Sequence, residues 1–257
     1  MTRADRLAAL LEQLVTDGRI DVEEAATRHQ VSAATIRRDL DHLADQQLLN
    51  RTHGGAVPNT TSYDLPLRYK AAKQGSAKRR IAERAVDLLW PGCTVSLNGG
   101  TTTVEIARAI PGVRALHNGV TVVTNALNIA TELTVRPFIK IVVSGGVARP
   151  QSYELIGPMA TDTLRQLTPD LCFLGATGLD LIAGVTADDE AEAAINRVMM
   201  QQAKRTIVVV DSSKLGRIGF SRICHVGEVY AVLTDSDADP QTLEDLAAAG
   251  AEVMVAR

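Results

Sequence analysis

Aromatic residues are scarce, 3% of 257 residues. That disfavours a single-strand nucleic-acid binder, which needs rings for bases to stack on. Cysteine is also sparse. Cys93, Cys172 and Cys224 lie far apart in apolar segments, odd in number and without Cys-x-x-Cys spacing. They read as reduced core thiols of a cytoplasmic protein, with no disulfide framework, metal site or cofactor site. Long hydrophobic runs are missing: nothing approaches the ~18 apolar residues of a membrane span, and Ile207-Val208-Val209-Val210 reads as a buried strand. Met1-Thr2-Arg3-Ala4-Asp5-Arg6 has no apolar region or small-residue cleavage site behind it, so no secretory signal is expected. Neither charge dominates, with 27 basic and 30 acidic residues and a net charge of −3. What is present is 46% apolar residues and 22% charged, enough for a core and against a mainly disordered chain. The length implies one or two domains.

Two textures meet near residue 58. Residues 1–57 are helical in pattern and nearly free of glycine until Gly54-Gly55. Residues 77–257 alternate short β-branched runs with helix-length amphipathic stretches, the mark of an α/β domain with a mostly parallel sheet. Between them, 58–76 holds Pro58, Asn59, Thr60, Thr61, Ser62, Pro66 and Gly75 and reads as a linker.

In the first segment Leu7, Leu10, Leu11, Leu14 and Val15 form one helical stripe, ended by Gly18. Asp21, three residues before Glu24, suggests a capping box opening a short helix that buries Val22, Ala25 and Ala26. After a turn at Gln30-Val31, Ser32 is an N-cap. The third helix places Ile36, Leu40 and Leu43 on one face, with Thr35, Arg37, Arg38, Asp41 and His42 on the others. Leu48-Leu49-Asn50-Arg51 and Ala56-Val57 flank Thr52-His53-Gly54-Gly55 as a small hairpin. This is a winged helix-turn-helix pattern; a small helical bundle with solvated arginines remains the alternative. Charge argues against a basic DNA-binding domain, because residues 1–57 hold seven arginines against nine acids. The next stretch, 58–80, is locally basic through Arg68, Lys70, Lys73, Lys78, Arg79 and Arg80 against Asp64.

Val31-Ser32-Ala33-Ala34-Thr35-Ile36-Arg37-Arg38-Asp39-Leu40, followed by Leu49-Asn50-Arg51-Thr52-His53-Gly54-Gly55-Ala56, closely resembles V-S-x-x-T-I-R-R-D-L with R-x-H-G-G-A behind it. That is the N-terminal signature of the DeoR family of bacterial transcriptional regulators (DeoR/glycerol-3-phosphate-repressor type). The resemblance covers almost the whole chain. It implies double-stranded operator DNA as partner, with Ser32, Thr35, Arg37, Arg38, Arg51 and His53 as DNA-binding residues. It also implies a C-terminal sensor whose fold resembles ribose-5-phosphate isomerase and the CoA-transferases, with phosphorylated sugars or related metabolites as effectors.

The sensor residues make chemical sense by themselves. Thr94-Val95-Ser96-Leu97 reads as a strand, Asn98-Gly99-Gly100 as a loop and Thr101-Thr102-Thr103-Val104-Glu105-Ile106-Ala107 as a helix start. Glycine amides, threonine hydroxyls and a helix N-terminus suit a phosphate, although an ordinary strand-to-helix turn has the same look. The loop resembles the family's D-x-G-T-T, with Asn98 in place of Asp. Asn125 ends the Val122-Val123-Thr124 strand, and Gly145-Gly146 ends the Ile139–Val143 strand. Asp170–Asp180 resembles D-x-x-F-x-G-x-x-G-(I/L)-D, and Asp211-Ser212-Ser213-Lys214 resembles D-x-S-K. Ligands collect at the carboxyl ends of strands in open α/β sheets, and each of these motifs is expected at such an end. Gly145-Gly146 as a plain turn and Asp180 as a loop cap are the alternatives. The expected effector set is Lys78, Asn98, Gly99, Gly100, Thr101, Thr102, Asn125, Gly145, Gly146, Asp180, Asp211 and Lys214, where the two lysines match family lysines. A further departure is Asn196, where family members commonly have Lys; Met199 and Met200 read as core.

The competing class is a phosphosugar isomerase with an appended helical domain. Such enzymes resemble G-A-D-E-(I/L)-D, with carboxylates for proton transfer. Gly175-Ala176-Thr177-Gly178-Leu179-Asp180 keeps only the last acid, so a non-enzymatic regulator is expected, without a catalytic residue. A net-negative head of 57 residues should hold a half-site weakly, so a homo-oligomer, dimer or tetramer, is expected through the 77–257 domain.

Overall fold

The computed structural model describes residues 2–46, 48–58 and 74–257, with the backbone alone at 15 and 16. The chain divides into two compact units, Met1–Lys73 and Gln74–Arg257. Of the expected linker, Pro58 ends a strand and Gly75 and Ser76 open a helix. Asp64, Arg68, Lys70, Lys73 and the Val15 side chain lie outside the described residues.

In the first unit, α1 (Arg3–Asp17) starts with a capping box between Thr2 and Asp5 and stops at Gly18, whose φ of 69° is left-handed. Strand β1 (Ile20–Asp21) leads into α2 (Val22–His29), and Asp21 caps it by accepting from the Glu23 and Glu24 amides. The reciprocal bond from Glu24 that a capping box needs is not among the helix's cap contacts. Gln30 turns left-handed at φ 55°. Ser32 then caps α3 (Ala33–Asp45), which is followed by the hairpin β2 (Leu49–Arg51) and β3 (Gly55–Pro58).

Leu10, Ile36, Leu40 and Leu43 are fully buried, and with Leu7, Leu11, Leu14, Ile20 and Leu49 they form one core. Each such side chain contributes about 1.5–3 kcal/mol. β1 was not legible in the sequence, since two residues carry no alternation. It pairs with β3 and completes a three-stranded sheet, β1-β3-β2. This pairing explains Gly55: a Cβ there would come within 1.7 Å of the Ile20 carbonyl oxygen.

The second unit is built on seven parallel strands: β4 (Thr94–Leu97), β5 (Val120–Thr124), β6 (Ile139–Val143), β9 (Leu171–Leu174), β12 (Arg205–Val209), β14 (Ala231–Asp235) and β15 (Glu252–Ala256). Their order is β15-β14-β12-β9-β4-β5-β6. A small hairpin, β7 (Val147–Ala148) and β8 (Leu155–Ile156), follows β6. A separate antiparallel sheet contains β10 (Gly178–Asp180), β11 (Gly184–Ala187) and β13 (Ser221–Cys224).

Helices cover both faces of the parallel sheet. Ile81 of α4 (Gly75–Val86), Ile106 of α5 (Thr101–Ala109) and Ile129 of α6 (Leu127–Thr134) pack with Val95, Leu97, Phe173, Ile207 and Val209. Leu164 of α7 (Pro158–Leu164), Ile195 and Met199 of α8 (Glu190–Gln202) and Leu246 of α9 (Pro240–Ala248) pack with Cys172, Leu174, Val208 and Val210. Alternate residues of β9 and β12 thus serve opposite cores, as the period of two requires.

The chain lays down β4, β5 and β6 in one direction, returns to place β9 on the other side of β4, and continues outward through β12, β14 and β15. The direction reverses between β4 and β9. In such sheets the crevice outside the carboxyl ends at that switch point is where ligands bind.

Candidate nucleic-acid interface and effector site

In the first unit the exposed Ser32 hydroxyl caps α3, accepting from the Thr35 amide at 3.2 Å and sharing a 2.9 Å hydrogen bond with the Thr35 hydroxyl. Arg37 and Arg38 follow on the exposed surface of α3. Arg37 meets Glu23 of α2 at 3.1 Å, with the two side chains 55% and 74% exposed. A pair so open to water is weak, about 0.2–1 kcal/mol, and is readily exchanged for a phosphate or base. Arg38 has no ion pair among the described residues.

Arg51, expected to bind DNA from the wing, is bonded within the unit. Its Nε donates to Asp41 at 2.8 Å and its Nη1 to the Gly55 carbonyl, so it ties the wing to α3. His53 is exposed beside the turn. Asp39, inside the signature, is buried at 2% exposure. It accepts from Arg6 at 2.6 Å and Arg3 at 3.3 Å. Asp17, Glu23, Asp39 and Asp41, all among the acids that weigh against DNA binding, are therefore already matched by arginines, a distribution that total charge conceals.

In the second unit, adjacent strand ends gather most of the expected effector residues. At the switch point Asn98 is buried and clasps Gly175 both ways: its Nδ2 donates to the Gly175 carbonyl at 3.0 Å, and its Oδ1 accepts the Gly175 amide at 2.8 Å. An aspartate could make only the second bond, so the departure from the family's Asp acquires a structural use. Gly99 and Gly100 lead into α5, whose N-terminus carries no capping side chain. Thr101 is half-buried, while Thr102 and Thr103 are buried. The Thr103 hydroxyl donates back to the Gly100 carbonyl at 3.0 Å. The first amides of a helix point away from its body with positive potential, which suits an anion.

At the end of β5, Asn125 is fully buried. Its Nδ2 donates to Glu154 Oε1 and to the Leu155 carbonyl, both at 3.4 Å, and its Oδ1 has no hydrogen-bond partner among the described residues. After β6, Gly145 and Gly146 turn with φ of 70° and 117° and start β7. After β12, the buried Asp211 accepts the Ser213 amide at 3.2 Å and the Ser213 hydroxyl, capping the turn Ser212–Lys214. Lys214 is half-buried. Lys78, in the first turn of α4, is buried at 3% exposure.

One expected position is corrected. Asp180 is not at an end of the parallel sheet; it ends β10 in the antiparallel sheet. Its carboxylate accepts the Ile182 and Ala183 amides, both at 2.8 Å, closing the β10–β11 turn.

The sequence reading missed Glu154. It lies at the β8 end of the hairpin, 1% exposed, and its Oε1 accepts the Gly99 amide at 2.8 Å. A Cβ on residue 99 would come within 2.3 Å of Glu154 Cγ, so Gly99 is the residue that lets this acid reach the loop. Burial, reinforced by nearby Glu192, pushes the Glu154 carboxyl up to about 8, against the opposing pull of the Gly99 amide, Asn125 and Arg149. Arg149 is held by Asp189 at 3.3 Å and Glu192 at 2.7 Å. The only trace in the sequence is one acid in Tyr153-Glu154-Leu155-Ile156. Asn196, where the family commonly has Lys, is buried on α8, and its Oδ1 has no partner among the described residues.

Among the described residues no cluster of His, Cys, Asp and Glu is arranged to hold a metal ion, and no helix is long and apolar enough to cross a membrane. Residues 6–62 match the DeoR-like helix-turn-helix domain and residues 73–236 the DeoR C terminal sensor domain. The glycerol-3-phosphate regulon repressor of Escherichia coli (strain K12) is 32% identical over 236 residues, 92% of each chain. The HTH-type transcriptional regulator GlpR of Haloferax volcanii is 35% identical over 256 residues, 99% of this chain and 98% of that one. The L-fucose operon activator of Haemophilus influenzae is 30% identical, covering 88% of this chain and 89% of its own. A ribose 5-phosphate isomerase structure from Methanocaldococcus jannaschii overlaps 56% of this chain and 55% of its own, at 18% identity and a TM-score of 0.42, too slight a likeness to carry function. The relatives are named as regulators. With both domains matched in order and relatives aligned over most of its length, the chain belongs to the DeoR family of transcriptional regulators, and it is a regulator rather than an enzyme.

Proposed function

We propose that this regulator represses a carbohydrate operon and responds to a phosphorylated sugar held at the strand ends of its second unit. The observation that carries the reading is the uncapped N-terminus of α5 beside buried Asn125. Amides and threonine hydroxyls suit a phosphate dianion, while an amide and carboxylates suit sugar hydroxyls. Lys78 and Lys214 supply the cations, and Asp211, Asn125, Gly145 and Gly146 line neighbouring strand ends. The names of the relatives, which include a glycerol-3-phosphate regulon repressor, favour this effector class. Asp180 and Asn98 are already bonded within the fold and serve it as a turn closure and a clasp.

On DNA, Thr35, Arg37 and Arg38 read the major groove, Ser32 sets the start of their helix, and His53 and Arg51 belong to the wing near phosphates. Two or more heads acting together, in a dimer or tetramer held by the second unit, raise the affinity. Lys78 lies in the first turn of the second unit, so a ligand contact there acts where the chain enters the sensor. That gives the ligand a differential interaction with two states.

The test is a thermal-shift screen of the full chain with phosphorylated sugars and their unphosphorylated parents, then a gel shift on DNA upstream of the gene. A phosphorylated sugar should stabilise the protein and release the DNA, while its parent does neither. Equal binding of the parent sugar would remove the phosphate reading, and sedimentation as a monomer at micromolar concentration would remove the oligomer.

A further inference from the structure

We propose that Glu154 is a specificity residue of the effector site, which with Asn125 reads a ligand hydroxyl next to the phosphate. The inference rests on the phosphate-loop reading above and adds the group that separates a polyol phosphate from phosphate alone.

The geometry is that of a donor and an acceptor on adjacent side chains. Both hydrogen bonds to the Glu154 carboxyl, from the Gly99 amide at 2.8 Å and from Asn125 Nδ2 at 3.4 Å, fall on Oε1. Oε1 is therefore the accepting oxygen, and a proton on the carboxyl belongs on Oε2. Asn125 spends its Nδ2 on Oε1 and on the Leu155 carbonyl, leaving Oδ1 buried and without a donor among the described residues. A protonated Oε2 and an unpartnered Oδ1 together complement one hydroxyl, which accepts from the first and donates to the second. Leaving Oδ1 unfilled in the fold is costly, and a ligand hydroxyl recovers that cost.

Protonation at neutral pH follows from the surroundings. The carboxyl is fully buried and pushed up to about 8, with Glu192 of α8 adding to the upward push and Arg149 of the hairpin opposing it. Arg149 is itself shared with Asp189 and Glu192. A carboxylate at this point would also repel a phosphate on the α5 amides, so the neutral acid is the form compatible with the ligand.

The experiment is calorimetric titration of the full-length protein with glycerol 3-phosphate, fructose 6-phosphate and inorganic phosphate, on wild type, Glu154→Ala and Glu154→Gln. Glutamine keeps an acceptor for the Gly99 amide and a donor for the ligand, so Glu154→Gln should retain the wild-type preference for the organic phosphate. Glu154→Ala should lose about tenfold or more on the organic phosphate and little on inorganic phosphate. Between about pH 7 and about pH 9 the ligand phosphate stays dianionic. Wild-type affinity should fall by about tenfold across that interval as Glu154 ionises, and Glu154→Gln should stay level.

Equal losses on both ligands in Glu154→Ala, with unfolding temperatures unchanged, would make Glu154 a brace and overturn the proposal. So would a Glu154→Gln variant as impaired as Glu154→Ala, or a level wild-type pH profile. Wild type that binds none of the three probes would instead overturn the phosphate-loop reading on which the proposal rests.

Discussion

The two units keep their polar chemistry in opposite ways. In the first, Arg37, Arg38 and His53 are exposed, and Arg37 is matched by the exposed Glu23. In the second, Lys78, Asn98, Asn125, Glu154 and Asp211 are all at or below 3% exposure. A DNA duplex is a large, rigid partner that comes to the surface, so its readers need only a scaffold that presents them. On the proposed reading a small metabolite is taken out of water, so its contacts are built inside, where an unsatisfied polar group is costly. Exposed residues in the first unit and buried polar residues in the second are thus the informative classes. Asp39 breaks the rule, being a buried acid in the surface-reading unit.

The largest expected effect tests that exception. Asp39→Ala leaves Arg6 charged at 10% side-chain exposure, and urea unfolding of the full chain should show a loss of about 3–5 kcal/mol. A loss below about 1 kcal/mol, the worth of an exposed pair, would show that Asp39 is no more buried in effect than Glu23.

Next comes the buried acid of the sensor. The folded-state value of Glu154 is raised to about 8. Between its unfolded value near ~4.3 and about 8 the folded chain holds a proton that the unfolded chain has released. Stability therefore declines as pH rises through that window and levels off above it. Glu154→Gln removes this dependence, so thermal unfolding should find the variant gaining on wild type from about pH 5 to about pH 8, by an amount on the order of a few kcal/mol. A constant difference across that range would mean that the acid is solvated and that the two units differ less in how they hold polar groups.

The third effect belongs to the displayed unit. Arg37→Ala and Arg38→Ala should each weaken operator binding by about 1–3 kcal/mol for every specific base interaction removed, measured by gel shift at fixed salt, with folding unchanged by circular dichroism. Unchanged affinity in both would remove them from the interface. The smallest effect is at the wing. Arg51→Ala breaks a partly exposed pair with Asp41, so stability should drop by no more than about 1 kcal/mol. Base preference should stay the same while the salt slope of binding becomes shallower. A changed base preference would make Arg51 a base reader rather than a phosphate contact.

Local signals were enough for much of this. The spacing of Leu7, Leu10, Leu11 and Leu14, the caps at Asp21 and Ser32, and the stripe Ile36, Leu40 and Leu43 determined three helices and their buried faces. The T-I-R-R-D-L and H-G-G-A stretches determined the family, and the β-branched runs determined parallel strands with polar residues at their ends. What the sequence could not carry was pairing across distance. β1 is a strand only because Gly55 lets β3 approach Ile20. Asp39 is buried only because α1 brings Arg6 to it across 33 positions. Asp180 matched a motif, yet it ends a strand of the separate antiparallel sheet rather than one of the main sheet. Glu154 is 55 residues from Gly99, and nothing near it in the chain marks it as acidic chemistry. Periodicity reports which face of an element is apolar, because that depends on neighbours three or four residues away. Which polar groups meet inside a fold depends on strand order, and here the order brings β4 beside β9 and folds a hairpin back onto the loop between β4 and α5.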